Sequence, residues 1–224
     1  MFTDRARRAG ARDRLFIVGL VGRAGSGKST VARALAAAGA TVLDGDRIGH
    51  SVTDTDPDVR AALQREYGAG VYRADGALDR ARVGARVFAD PDALERLNRL
   101  VHPRILERIR ARLAELRGSH ASRGSPASLT VVVDAALMLD WGFERECDAV
   151  IAVISPEREQ ISRLMRARSW NETQARSRLG AQRTNEAFAE AADAVIDNRG
   201  AEESLAATAR ATLEGLRARA GLER

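Results

Sequence analysis

Sulfur, histidine and lysine are all scarce in this chain, and each scarcity excludes something. Among 224 residues there is one cysteine, Cys147, so a disulfide framework within the chain is excluded and a reducing, cytoplasmic setting is expected. Three histidines accompany it, His50, His102 and His120, which leaves a Cys/His zinc site out of reach. No apolar run approaches the roughly 20 residues of a membrane span, and the stretch 15–20 is too short for the apolar part of a signal peptide. Aromatic residues make up 4%, and Trp141, Trp170, Tyr67 and Tyr72 read as core or rim rather than as stacking platforms. Secreted, membrane and zinc-finger classes are thereby set aside, and no membrane partner is expected.

Lysine is the most telling shortage. Of 36 basic residues, 35 are arginine and one, Lys28, is lysine, the pattern of a coding bias against lysine. The net charge of +5 is mild for this length, and Arg5, Arg7, Arg8, Arg12 and Arg14 face only Asp4 and Asp13 in the first fourteen residues. The body of the chain is close to neutral. Residues 1–13 read as a flexible basic tail, and no nucleic-acid groove is implied. With 45% hydrophobic and 30% charged residues, the balance is that of a globular protein large enough to fold without staples.

What the chain does have is a series of short apolar runs between long helical stretches. They cover 15–21, 40–43 ending at Asp44, 129–133 ending at Asp134, 149–154 ending at Ser155-Pro156, and 194–196 ending at Asp197-Asn198. Runs without polar alternation are those of strands buried on both faces. The expected fold class is therefore α/β, a five-stranded parallel sheet between helices. About 84 residues separate the second run from the third, more than one crossover helix uses. Helical periodicity at 57–67, 79–89 and 92–117, punctuated by Asp90-Pro91 and His102-Pro103, precedes a Ser/Gly/Ala-rich loop at 118–128. This makes 46–128 a helical insert. A second helical insert, 156–191, carries Arg158, Arg163, Arg166, Arg168, Arg176, Arg178 and Arg183. The core is then 14–45 with 129–155 and 192–224, without internal repeat.

The strongest chemical signal is Gly22-Arg23-Ala24-Gly25-Ser26-Gly27-Lys28-Ser29-Thr30, a complete G-x-x-x-x-G-K-[ST] between a buried strand and a helix. Phosphate binding needs backbone N–H groups aimed at one point, so side chains must be absent where the chain wraps the anion. Glycines 22, 25 and 27 allow this, and the following helix adds its positive amino end. Lys28 reaches the β/γ-phosphates of ATP, and the Ser29 hydroxyl ligates Mg²⁺. Placed at random among the 36 basic positions, the one lysine would fall here about once in 36. An ammonium is a compact point charge and a guanidinium a planar fork, so the two are not interchangeable here.

Asp44 and Asp46 follow at the carboxyl end of the second run, where ligands of open α/β sheets bind. A kinase acting on an alcohol needs a carboxylate to orient the hydroxyl and accept its proton, and Asp44 is the candidate base. On an extended chain Asp46 points to the same side; either residue also suits the amino-terminal cap of a helix. Asp134, closing the third strand, stands where a Walker B acid would steady Mg²⁺. Most arginines at 158–183 read as a solvated helix face. One or two, with Arg163 favoured by position, would close over the transferring phosphate as a lid. His102-Pro103 marks a helix bend, His50 a polar contact near Asp46, and His120 an ordinary loop residue.

In order and spacing, six blocks resemble the dephospho-coenzyme A kinase family over residues 15–205. They are the glycine-rich block from Leu20 to Val31; Asp44-Gly45-Asp46-Arg47-Ile48; Asp75-Gly76-Ala77-Leu78-Asp79-Arg80 with Val87-Phe88; Leu97-Asn98 with Val101-His102-Pro103; Gln160-Ile161-Ser162-Arg163-Leu164; and Ala192-Asp193-Ala194-Val195-Ile196-Asp197-Asn198. The resemblance implies transfer of the ATP γ-phosphoryl group to the ribose 3′-hydroxyl of dephospho-coenzyme A. It implies Asp44 as base, 46–128 as the substrate domain, 156–191 as the lid, and Asn198 near the adenine, with Asp46, Arg80 and His102 at the coenzyme site.

Two departures stand out: Ala136-Leu137-Met138-Leu139-Asp140 replaces the family's P-L-L-F-E, and the usual lid arginine falls on Ala167, between Arg166 and Arg168. Another P-loop kinase of a nucleoside or small metabolite is the alternative, with a nucleotide-dependent RNA-binding switch behind it. A monomer is the favoured state.

Overall fold

The computed structural model describes residues 15–87, 91–123, 128–199 and 202–222. The basic tail, Phe88, Asp90 and most of the expected loop after 123 lie outside the described residues. Five strands, β1 Leu15–Val21, β2 Thr41–Asp44, β3 Leu129–Asp134, β4 Ala149–Ile154 and β5 Ala194–Asp197, form one sheet in the order β2-β3-β1-β4-β5. All four neighbouring pairs are parallel. Every residue of β1 is buried, as befits the central strand of a sheet covered on both faces.

Successive side chains of a strand point to opposite faces, and the two faces pack differently. Phe16, Val18 and Leu20 of β1 join Ile151 and Val153 of β4 in one core cluster. Two helices cover it, α1 (Lys28–Ala37) through Val31 and Leu35, and α10 (Glu202–Arg219) through Leu205, Ala209, Leu213 and Leu216. The spacing of three to four residues along α10 is the stripe that a one-sided helix presents to a core. On the other face the space above Gly19 is filled by Met138 and Cys147. A Cβ on Gly19 would stand 2.6 Å from Met138 Sδ, so a side chain here would force the Met138 thioether to move.

A pair of aspartates closes the amino ends of β4 and β5 in the same way. Asp148 N–H donates to the Ile17 carbonyl at 2.8 Å, while its Oδ2 accepts from Ile17 N–H at 2.8 Å. Asp193 N–H donates to the Val150 carbonyl at 2.9 Å, while its Oδ2 accepts from Val150 N–H at 2.8 Å. Each carboxylate extends the ladder by one bond where the backbone has run out. The same four residues, Asp-Ala-Val-Ile, stand at both places, 148–151 and 193–196, a local match with a structural cause.

The chain divides into two compact units, Gly45–Glu115 and the remainder. The smaller unit contains α2 Gly45–Thr55, α3 Pro57–Tyr67, α4 Arg80–Val87 and most of α5 Pro91–Ser122. Asp56 caps α3, accepting from Asp58 and Val59 N–H, with Pro57 in the first turn and Gly68 at φ 87° past the end. Tyr67 donates its hydroxyl to the Ala93 carbonyl at 3.0 Å, and Arg60 lies 3.9 Å above the Tyr72 ring. Helix α5 runs through His102 and Pro103, as the helical periodicity over 92–117 implied. One expectation needs correction: the helix continues to Ser122, taking 118–122 from the expected loop. Ala and Ser tolerate a helical turn, a lone glycine costs about 1 kcal/mol, and Ser122 Oγ bonds back to the Gly118 carbonyl at 2.9 Å.

Candidate active site

The loop from Gly22 to Thr30 joins β1 to α1 at the carboxyl end of the sheet. Its glycines have positive φ, 145° at Gly22, 74° at Gly25 and 103° at Gly27. Each also has protein at its back. A Cβ at Gly22 would meet the Val153 carbonyl oxygen at 2.3 Å, at Gly25 the Gln160 carbonyl oxygen at 2.7 Å, and at Gly27 the Asn198 Nδ2 at 2.2 Å. The glycines therefore serve close packing behind the loop as well as approach from the front.

Three side chains hold the loop from outside, and one of its own, Arg23, reaches outward. Asn198, expected near the adenine, commits its Nδ2 to the Ser26 carbonyl at 2.8 Å. Arg163 donates through Nη1 to the Gly25 carbonyl at 3.0 Å, the Ser26 carbonyl at 3.4 Å and Ser155 Oγ at 3.1 Å. Its Nη2 meets Glu159 at 2.8 Å and the Asn198 carbonyl at 3.4 Å. Arg23 reaches Glu157 and the Leu179 carbonyl, and Gln182 accepts from Ala24 N–H. Behind Arg163, Gln160 donates to Asn185 at 3.0 Å and Asn185 to the Ser155 carbonyl at 2.8 Å.

Arg163 thus differs from its expected place. It braces the loop by its carbonyls, because helix α7 (Glu157–Arg168) starts directly after β4 and carries it beneath Gly25 and Ser26. Arg158, Arg166, Arg168, Arg176, Arg178 and Arg183 are exposed. Arg176 pairs with Glu172 at 2.7 Å, and Arg183 with Asp140 at 2.7 Å, which gives the shortened acid of the departing segment a partner.

On the open side, Lys28 Nζ donates to the Gly22 carbonyl at 2.8 Å and the Arg23 carbonyl at 3.3 Å. Gly27 is the cap of α1 and supplies no side-chain hydrogen bond, so the first amides of that helix are left to be capped by something else. Ser26 Oγ is buried without a hydrogen-bond partner. Ser29, second in α1, is exposed, and Thr30 accepts from Arg33 at 3.0 Å.

Asp44 and Asp134 are register partners at the ends of β2 and β3. Adjacent strands lie roughly 5 Å apart, so two carboxylates stand side by side at this edge. Asp134 is also the register partner of Leu20, and β3 lies between β2 and β1. Asp44 is therefore two strand spacings, roughly 10 Å, from the strand that feeds the loop. Asp46 does not continue an extended chain. Helix α2 starts at Gly45 and puts Asp46 in its first turn, which overturns the expected same-side alternation with Asp44.

Arg80 and His102 belong, like Asp46, to the smaller unit. Arg80 Nη2 is held by Asp54 at 3.1 and 3.0 Å, by Thr53 Oγ1 at 3.1 Å and by the His50 carbonyl at 3.2 Å, so it braces that unit internally. Burial raises the Asp54 pKa, but the Leu78 N–H bond and Arg80 outweigh it, leaving it below the ordinary value. His102 sits half-buried on α5. Sequence reasoning missed Arg23, Gln182, Ser155 and Asn185. Arg23 stood inside the glycine-rich block and Gln160 inside the block that follows β4, but nothing in either block names their partners, and the bonds of Arg23 and Gln182 span more than 130 residues.

A family model of dephospho-CoA kinase matches residues 16–203. A Thermobifida fusca dephospho-CoA kinase is 41% identical over 202 residues, covering 90% of this chain and 96% of that protein. One from Anaeromyxobacter dehalogenans is 39% identical over 201 residues, covering 90% of this chain and 92% of its own. Among solved structures, a Thermus thermophilus protein aligns with a TM-score of 0.74 at 28% identity, over 91% of this chain and 98% of that one. A Campylobacter jejuni dephospho-CoA kinase shares the fold, with a TM-score of 0.59 at 18% identity over 90% of this chain and 97% of that one. With a P-loop at the end of β1, paired carboxylates beside it and these relatives along nearly its whole length, the chain belongs to the dephospho-CoA kinase family.

Proposed function

We propose that the chain transfers the γ-phosphoryl group of ATP to the ribose 3′-hydroxyl of dephospho-coenzyme A, giving coenzyme A and ADP in the cytoplasm. The observation that carries this reading is the strand order β2-β3-β1, which sets Asp134 on the strand next to the one feeding the loop of the lone lysine and Asp44 beside Asp134, one strand further out.

In this reading Gly22, Gly25, Ser26, Gly27 and Thr30 belong to the loop that wraps the phosphate chain, whose oxygens cap the amino end of α1. Ser26 Oγ, which lacks a protein partner, suits a loop that encloses oxygen atoms. Lys28 leaves its loop carbonyls for the β/γ-phosphate oxygens. Asp44 accepts the 3′-hydroxyl proton as that oxygen bonds to phosphorus and the bond to the β,γ-bridging oxygen breaks, with ADP leaving. Asn198 and Arg163 are positioning residues, keeping the loop in shape from behind. The insert 46–128, with Asp46, Arg80 and His102, receives the coenzyme part, and 156–191 forms the lid.

Magnesium is expected with ATP. The exposed Ser29 hydroxyl and the half-buried Asp134 carboxylate are hard oxygen donors. Their small number fits a cation that keeps most of its water and phosphate ligands. Bound there, the ion would neutralise charge on the phosphate oxygens.

The test is ADP release by the purified chain with ATP, magnesium chloride and dephospho-coenzyme A, against nucleosides and sugars as competing acceptors. Turnover confined to dephospho-coenzyme A supports the reading. A folded protein without turnover, or one that prefers a nucleoside, overturns it.

A further inference from the structure

The phosphate loop and the helices after β4 are joined at a point that the reaction scheme does not use. Ala24 N–H donates to Gln182 Oε1 at 2.9 Å. Gln182 lies just past the end of α8 (Glu172–Gly180), and its own N–H returns to the Leu179 carbonyl at 3.0 Å. One residue earlier in the loop, Arg23 Nη2 donates to that same Leu179 carbonyl at 2.7 Å, and its Nη1 meets Glu157 Oε2 at 3.0 Å. Arg23 is only 7% exposed, so this fork is shielded even though Glu157 is half-exposed. Two consecutive loop residues thus grip one helix end, through a last-turn carbonyl that also accepts from the Ala181 and Gln182 N–H groups and through one side-chain amide.

The chemistry of the acceptor matters here. The N–H groups of such a loop are aimed at phosphate oxygens, and Gln182 fixes one of these peptides. Its acceptor is a neutral carbonyl oxygen. A carboxylate would take the same bond but would add a negative charge beside the phosphates. Gln182 meets loop backbone rather than reacting atoms, so its part in the reaction is to position the loop.

We propose that Gln182 is a positioning residue for phosphoryl transfer, one that fixes the Ala24 peptide and, together with Arg23, makes helix α8 follow the loop when nucleotide phosphates order it. The proposal rests on the kinase reading above. Its structural core is narrower: ordering of the loop is transmitted to α8 through the Ala24–Gln182 bond, while Arg163 ties α7 to the loop separately.

The experiment uses the full chain, its Gln182→Met variant (similar length, no comparable acceptor) and its Gln182→Glu variant (acceptor retained, charge added). Residue-resolved amide exchange is followed with and without ADP, beside steady-state kinetics with dephospho-coenzyme A. In the native protein, Ala24 N–H is protected and ADP slows exchange along α7 and α8. Gln182→Met should speed Ala24 exchange about tenfold, the worth of one net hydrogen bond. It should also weaken the ADP-induced slowing in α8, leaving that in α7, which Arg163 ties to the loop, and lower kcat about tenfold with the KM for dephospho-coenzyme A unchanged. Gln182→Glu should keep Ala24 protected but raise the KM for ATP several-fold. Unchanged Ala24 exchange in Gln182→Met, or ADP-induced slowing in α8 equal to the native protein's, would overturn the proposal. A native protein that binds ADP but turns over no dephospho-coenzyme A would sink the kinase reading, while the exchange data still decide what Gln182 does.

Discussion

Gly27 is where the phosphate loop has least room, and its replacement separates two costs usually lumped together. Its φ is 103°, and an alanine Cβ there would stand 2.2 Å from Asn198 Nδ2. Ordinary contact begins at 3.4 Å, so the amide must retreat by about 1 Å, beyond what its bond to the Ser26 carbonyl allows. That bond is 2.8 Å long and buried. Losing it strands a donor and weakens the satisfaction of a carbonyl, about 1–3 kcal/mol. The left-handed backbone adds about 1–2 kcal/mol for any residue with a Cβ. Gly39 supplies the control, because its φ is 93° and a Cβ there meets nothing within 4 Å. Gly39→Ala should therefore lose only the backbone part, about 1–2 kcal/mol, and Gly27→Ala about 2–5 kcal/mol. At about 2–4 °C per kcal/mol for a chain of this size, Tm in thermal unfolding should fall by about 2–8 °C and 4–20 °C respectively. ATP binding should weaken in Gly27→Ala alone. Equal Tm shifts in the two variants, with equal ATP affinity, would refute the steric argument.

Asp44→Asn should lower kcat by at least about 100-fold while ATP still binds, measured by ADP release and nucleotide titration; near-normal turnover would remove Asp44 as base. Lys28→Arg should stay inactive despite its conserved charge, since a planar fork cannot occupy the place of a point charge; native kinetics in that variant would contradict the geometry. Asp193→Ala leaves the Val150 N–H without its acceptor and should cost about 1–3 kcal/mol in thermal or denaturant unfolding; Asp193→Asn, keeping an acceptor oxygen, should cost less, and a Tm equal to the native one would disprove the strand clasp. Asp54 binds its proton less readily folded than unfolded, so its stabilising share is present above pH ~4 and is lost as pH falls through the lower, folded value. Asp54→Asn should therefore lower stability at pH 7 and flatten the acid limb of the stability profile; an unchanged acid limb would argue against the Arg80 contact.

The parts of the fold legible in the sequence share one property: their cause is local. All five strands lie on apolar runs, four of which end at a polar residue; burial on both faces writes the three inner strands as unbroken runs, while the edge strands β2 and β5 are partly exposed. The P-loop is legible for the same reason, since its glycines and lysine are neighbours in the chain. Where the cause is distant, sequence reading falters. Asp148 and Asp193 stand just before the apolar runs and went unread, yet each reaches sideways to the preceding strand in the sheet, Ile17 in β1 for one and Val150 in β4 for the other. Asp46 could be read as a partner of Asp44 on an extended chain or as the cap of a helix, and Asp-Gly-Asp does not decide between them; the helix begins at the glycine.

The support behind the loop was the least legible part of the site, and the reason lies in how its bonds are made. Arg23, Arg163, Asn198 and Gln182 meet the loop or its surroundings across sequence separations of 134 to 172 residues, almost always through backbone groups. A backbone carbonyl has no residue identity, so no pattern in the sequence names its partner. What the sequence does carry is the division of labour between the two kinds of cation. Arg163 spans two loop carbonyls, a serine hydroxyl, a glutamate and the Asn198 carbonyl at once, which needs a planar fork with several donors. Lys28 touches two adjacent loop carbonyls from a single atom, and a single mobile charge is what must transfer to a phosphate oxygen. A chain with 35 arginines can furnish forks anywhere. Only at position 28 would a fork be the wrong shape, and there the chain departs from its own composition.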